Sequence, residues 1–82
     1  MIYHYATGHR YPTRNIPAAT TGVALPRKWK WALLDYYDVS ETACAMVVAP
    51  VKVDPDGRVV VIGHSIDLPY DGREWSDPYA AL

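Results

Sequence analysis

The chain of 82 residues contains no phenylalanine and a single cysteine. One cysteine excludes an intramolecular disulfide. Cys44 sits between Ala43 and Ala45 and reads as a small buried hydrophobe carrying a reduced thiol, which points to a reducing, cytoplasmic setting. Long apolar runs are also missing. The longest, Ala43 to Val51, is less than half of the roughly 20 residues a membrane helix needs. No basic start leads into an apolar secretion segment.

Most catalytic and metal-binding patterns are absent as well. His4, His9, His64 and Cys44 are scattered and form no ligand pair with zinc spacing. Asp54, Asp56 and Gly57 resemble a fragment of a calcium loop, but the positions that should anchor its ends are Lys52 and Gly63. Ser65 follows His64 directly, with Asp67 nearby. Adjacent residues of a strand point to opposite faces, so the hydroxyl and the imidazole diverge. No nucleophile elbow, phosphate loop or dinucleotide fingerprint occurs. The expectation is a protein that is no enzyme and uses no cofactor and no metal.

What is present is an ordinary globular composition, with half of the residues hydrophobic and 21% charged. Its length fits one small domain over residues 1–82. Seven tyrosines and three tryptophans supply all the aromatic area. These rings carry polar handles and suit half-wet interfaces. Charge is unevenly spread. Residues 1–34 hold Arg10, Arg14, Arg27, Lys28 and Lys30 and no acid, giving +5, whereas the rest holds nine acids against Lys52, Arg58 and Arg73, giving −6. Two oppositely charged halves either neutralise each other on packing or mark a charged partner.

Periodicity predicts a mainly β fold: a small antiparallel sheet of three to five strands, arranged as a meander or a partly open barrel. Residues 43–53 place Ala43, Ala45, Val47, Ala49, Val51 and Val53 on one face. Pro50 lies on the other face and cannot donate to a ladder, so it marks an edge, a bulge or a break. Asp54-Pro55-Asp56-Gly57 is a hairpin turn, with proline fixing φ and glycine taking the left-handed position. Residues 58–66 then return as a partner strand. Residues 28–37 read as a strand with Trp29, Trp31 and Leu33 on one face. A helix there would set Lys28 and Lys30 against the positive end of its dipole. Asp38 to Glu41 reads as the following turn, and Met1–Ala6 as a fourth strand.

The loop from His9 to Pro26 is long and irregular, with a short strand expected near Thr21–Leu25 at most. Ser76 or Asp77 ahead of Pro78 is the start signal of one short C-terminal helical turn. Apolar residues on both faces of the central strands call for cover, either from a homodimer or from the long first loop.

Two surfaces compete as the functional one. The tail gathers Asp67, Tyr70, Asp71, Glu74, Trp75 and Asp77, where acids provide steering and aromatic rings provide anchors for a protein or ribonucleoprotein partner. The segment Arg27, Lys28, Trp29, Lys30 and Trp31 interleaves cations with rings and suits direct binding of single-stranded nucleic acid. A free-standing, cysteine-poor, aromatic-rich β domain with segregated charge resembles, as a class, the small inhibitors of phages and mobile elements, anti-CRISPR proteins among them. That resemblance implies stoichiometric docking on a nucleic-acid-handling complex. The alternatives are a small nucleic-acid-binding protein and an accessory or structural subunit of a larger assembly.

Overall fold

A computed structural model describes residues 4, 5, 8–72 and 75 of the chain. The strands are β1 (His4–Tyr5), β2 (Thr13–Arg14), β3 (Trp29–Ser40), β4 (Ala43–Val53), β5 (Val59–Ile62) and β6 (Ile66–Pro69), with one short helix, α1 (Ala18–Thr21). All pairings are antiparallel. The order across the sheet is β1-β5-β4-β3-β2, with β6 also paired to β4. β6 continues the path of β5 along the same edge of β4, so six strand segments fill five positions. The sheet is open, not a barrel.

The Asp54–Gly57 turn forms as its residue types dictate. Gly57 has φ 82, and its N–H donates to the Asp54 carbonyl at 3.0 Å. Asp54 Oδ1 accepts the N–H groups of Asp56 and Arg58 at 3.0 and 2.9 Å, which locks the reversal. The returning strand is not continuous over 58–66 as expected. It pauses at Gly63–Ser65 and resumes at Ile66. Pro50 supplies the reason. Its carbonyl accepts from Gly63 N–H at 2.8 Å, so its nitrogen, which has no hydrogen, faces the same edge. The ladder loses a donor there and the neighbouring strand breaks.

β3 runs to Ser40, beyond the expected turn at Asp38–Glu41, and the reversal falls at Glu41–Thr42. Its register against β4 shifts between Leu33 and Asp35 and again between Asp38 and Ser40. The first shift is a bulge at Leu34. An extra residue reverses which side chains meet each face. Before the bulge, Trp29, Trp31 and Leu33 lie on a first face; after it, Tyr36 and Asp38 do.

β4 is buried on both faces rather than on one. Met46, Val48 and Pro50 are enclosed on the first face, and Ala45, Ala49 and Val51 on the second. On the first face Trp31, Met46 and Val48 form a core against which Ile16, Val23, Leu25, Leu33, Ile66, Leu68 and Trp75 pack. On the second, Ala32, Val51 and Val59 pack with Tyr11, Leu34, Val53 and Ile62. The long first loop therefore supplies the cover for the first face. It is less irregular than its composition suggests. β2 adds to the sheet at Ala32 and Trp31, and α1 starts after Pro17 and ends at Gly22, which has φ 74. No strand forms at 21–25. Of the expected strand over residues 1–6, His4 and Tyr5 are seen paired with Ile62 and Val61. The expected C-terminal helical turn lies outside the described residues.

Trp31 is 1% exposed and is the largest side chain of the first-face core. Replacing it with alanine should remove about 3–5 kcal/mol of stability in chemical denaturation. Tyr36→Ala, on the exposed part of the same strand, should change stability by no more than about 0.5 kcal/mol.

Candidate docking surface

The far half of the β3–β4 hairpin, with β6 beside it, projects beyond the cover given by the first loop. Every residue from Asp35 to Ser40 is exposed. The exposed large apolar side chains among the described residues are Tyr36 at 65%, Val39 at 63%, Tyr37 at 44% and Tyr70 at 40%. Asp35, Asp38, Glu41 and Asp67, all exposed, lie on the same arm. The cross-strand rows fix which of these share a face. Tyr36 lies opposite Met46, which lies opposite Leu68; Tyr37 lies opposite Ala45, which lies opposite Pro69; Asp35 lies opposite Val47, which lies opposite Asp67.

On the first face of the arm, Tyr36 and Tyr70 stack with ring centroids 6.1 Å apart. Asp38 Oδ1 accepts the Cys44 thiol at 3.2 Å. That bond raises the thiol pKa, with desolvation and the repulsion of a thiolate by the carboxylate adding to it. Cys44 is half-buried rather than fully buried as the sequence suggested. On the second face, the Tyr37 hydroxyl donates to Asp67 Oδ2 at 2.8 Å. This bond, then burial and the nearby negative charge, raise the Tyr37 pKa. Both contacts keep a protonated group beside a carboxylate.

Each edge of the arm has one outward backbone donor out of play, which blunts it for strand addition. Asp35 Oδ1 accepts the Tyr36 N–H at 2.8 Å, which occupies an outward-facing donor of β3. On β6, Leu68 and Tyr70 face β4, as the Tyr70 N–H to the Cys44 carbonyl at 2.9 Å shows. Pro69 therefore turns its hydrogen-free nitrogen outward. Such devices protect exposed strands from pairing with other chains, so the arm offers side chains rather than backbone.

The tail residues expected to bind a partner divide into three groups. Asp67 and Tyr70 lie on the arm. Asp71 and Trp75 do not stand free. Arg14 Nη2 donates to Asp71 Oδ2 at 2.6 Å, and its guanidinium carbon rests 4.1 Å from the centre of the Trp75 ring. Trp75 is half-buried against the first-face core. Its role as an exposed anchor is thus replaced by an internal one, which fastens the tail to the first loop. Glu74 and Asp77 lie outside the described residues. The Arg14–Asp71–Trp75 contact escaped sequence reading because it joins residues 57 positions apart. Tyr36 and Tyr37 are adjacent in sequence, and the register puts them on opposite faces.

The alternative segment is split by burial. Arg27, Lys28 and Lys30 are exposed, Trp29 is half-buried, and Trp31 is enclosed. Trp31 therefore has no ring face to offer a base, contrary to its expected stacking role. Lys52 joins the cations, since it lies opposite Trp29 across the ladder. No group of three or more metal-ligating side chains occurs among the described residues, and no helix among them is long and apolar enough to cross a membrane. Comparison with protein-family models, curated proteins and solved structures gives no match.

Two predictions follow from these contacts. Arg14→Ala should lower stability by about 2 kcal/mol, through lost ring contact as well as lost charge, and Arg14→Lys should recover only part of it in urea denaturation. The Tyr37–Asp67 bond persists while the phenol is protonated and is lost as pH rises through its raised pKa. In Asp67→Asn, NMR titration of the Tyr37 ring should show that midpoint moving down toward the ordinary tyrosine value. An unmoved midpoint would contradict the assigned cause.

Proposed function

We propose that the chain is a non-enzymatic binding protein that docks stoichiometrically on a cationic groove of a nucleic-acid-handling protein or ribonucleoprotein complex and blocks access of the nucleic acid. The observation that carries this reading is the arm itself. Four large exposed apolar or aromatic side chains share it with Asp35, Asp38, Glu41 and Asp67. Carboxylates on an exposed arm speed encounter with a positive groove, and tyrosines that lose water in the complex slow dissociation. Blunted strand edges favour binding through these side chains. Inhibitors encoded by phages and mobile elements, of the anti-CRISPR kind, are the functional class that this mode of action suits.

A second reading is favoured by a different observation. Arg27, Lys28, Lys30 and Lys52 gather at the opposite end of the β3–β4 ladder, where they suit phosphate contacts. It is weakened by the burial of Trp31, which removes one of its two stacking planes.

One comparison separates the two. The wild-type protein, a variant with Asp35, Asp38 and Asp67 changed to Asn, and a variant with Lys28 and Lys30 changed to Ala are used as baits in nuclease-treated bacterial lysate. Each is also tested for direct binding to labelled oligonucleotides across a salt series. The docking reading expects wild type and the lysine variant to capture a nucleic-acid-binding complex and displace its nucleic acid in a mobility-shift assay. It expects the acid-neutralised variant to lose that capture. Binding of bare oligonucleotide with a steep salt dependence, abolished by the lysine changes, would establish the second reading instead.

A further inference from the structure

The second face of the arm carries an open groove of about 320 Å³ lined by Val39, Ala43, Ala45, Asp67 and Pro69, among others. Its floor is small and apolar, because β4 presents Ala43 and Ala45 there. Asp67 is among its lining residues, and Tyr37 stands beside the groove, outside its lining. Asp67 Oδ2 is held by the Tyr37 hydroxyl at 2.8 Å, so the carboxylate and the exposed Tyr37 ring are fixed beside each other. Asp35 lies on the same face two strands away, across Val47, at roughly 10 Å by strand spacing.

The chain already shows what such a pairing holds. On the first face, Arg14 is gripped by the carboxylate of Asp71 at 2.6 Å and by the ring of Trp75 at 4.1 Å, while Met46 meets the same guanidinium through its sulfur at 3.9 Å. A carboxylate, a ring and an apolar side chain together make up a guanidinium seat. The second face has the same kinds of part, with Asp67 and the Ala43–Ala45 floor lining the groove and the Tyr37 ring beside it, tied to Asp67. Among the described residues, no cation is paired with Asp67 there.

We infer that this groove receives an arginine side chain of the partner protein. The inference rests on the docking reading above and names the chemistry of its partner. The aliphatic stem lies on Ala43 and Ala45. The guanidinium reaches the Asp67 oxygen not taken by Tyr37 and covers the Tyr37 ring. A carboxylate has lone pairs for both donors. Arginine is preferred to lysine because its planar, weakly hydrated head bonds a carboxylate and stacks on a ring at the same time. Asp35 lies within reach of a second cation on the same segment, so the favoured occupant is an arginine-bearing basic stretch.

The test uses isotope-labelled full-length protein and three capped tripeptides, Gly-Arg-Gly, Gly-Lys-Gly and Gly-norleucine-Gly, followed by NMR titration. The arginine peptide should give saturable shifts centred on Ala43, Ala45 and Asp67. The lysine peptide should bind at least about threefold more weakly, and the norleucine peptide should give no saturable shift. Asp67→Asn should weaken arginine binding about fivefold or more, as loss of a charge-assisted bond requires. Asp56→Asn, a charge-matched change in the distant hairpin turn, should leave it unchanged. Equal binding of arginine and lysine, shifts spread over all acidic residues, or insensitivity to Asp67→Asn would overturn the assignment. These results are independent of the bait comparison. Capture that depends on the arm, without arginine selectivity in the groove, rejects the arginine seat and keeps the docking function; selectivity without capture does the reverse.

Discussion

The ladder between β3 and β4 is the contact on which the rest of the molecule depends. It runs from Trp29 opposite Lys52 to Ser40 opposite Ala43. Every other segment attaches to one of its two strands or, for β1, to a strand that does. At the near end it is sandwiched between the first loop and the residues packed on its second face. At the far end its β3 residues from Asp35 to Ser40 are exposed, and among the described residues the backbone of the first loop bonds β3 no further along than Leu33. One hairpin thus contains both the most protected core of the protein and its most exposed aromatic residues. The core end gives the arm its rigidity, and the arm gives the core end a surface to present.

The Leu34 bulge is what allows one strand to serve both purposes. Without the extra residue, strict alternation would carry the Trp31 face into Asp35, Tyr37 and Val39. With it, Tyr36 and Asp38 join the first face, and Asp35 and Tyr37 take the second. The result is two different surfaces on one arm: a tyrosine stack on one side and a small-residue groove with an acidic wall on the other. Both strand edges are occupied, by a carboxylate at Tyr36 and by Pro69. Both features make indiscriminate backbone pairing at these edges less favourable.

Much of this architecture was legible in the sequence, for identifiable reasons. The Asp54–Gly57 turn is local chemistry, and it formed as its residues require. The β-strand character of 28–37 and 43–53 followed from the dipole argument and from period-two burial. Pro50 was marked as a break, and the break appears in the strand beside it rather than in its own. What escaped was long-range. Alternation counted along one strand cannot see a bulge that the partner strand imposes, so Tyr36 and Tyr37 could not be assigned to faces. Burial of Trp75 depends on Arg14, which reads locally as a loop cation. A ring in an acidic tail looks the same in sequence whether it waits for a partner or is already held by its own chain.

The charge imbalance between the two halves of the sequence has a spatial meaning that composition alone leaves open. Packing does not simply neutralise it, because the ladder lays the charges out lengthwise. Arg27, Lys28, Lys30 and Lys52 gather at one end, beside Asp54 and Asp56 of the adjoining turn, and Asp35, Asp38, Glu41 and Asp67 lie at the other, with no described cation on β3 or β4 among them. Arg14, the basic residue drawn toward the acidic side, is consumed by Asp71. The separation spans several strand residues, longer than the roughly 8 Å screening length at physiological salt. The fields of the two ends are therefore largely screened from each other. Net charge near zero then says little about the local field: on the docking reading proposed above, a positively charged groove would meet the arm as a local anion, and the cations at the other end would oppose approach in the reverse orientation. Under that proposal, orientation would be selected before any tyrosine made contact, which is the order of events that rapid and specific docking requires.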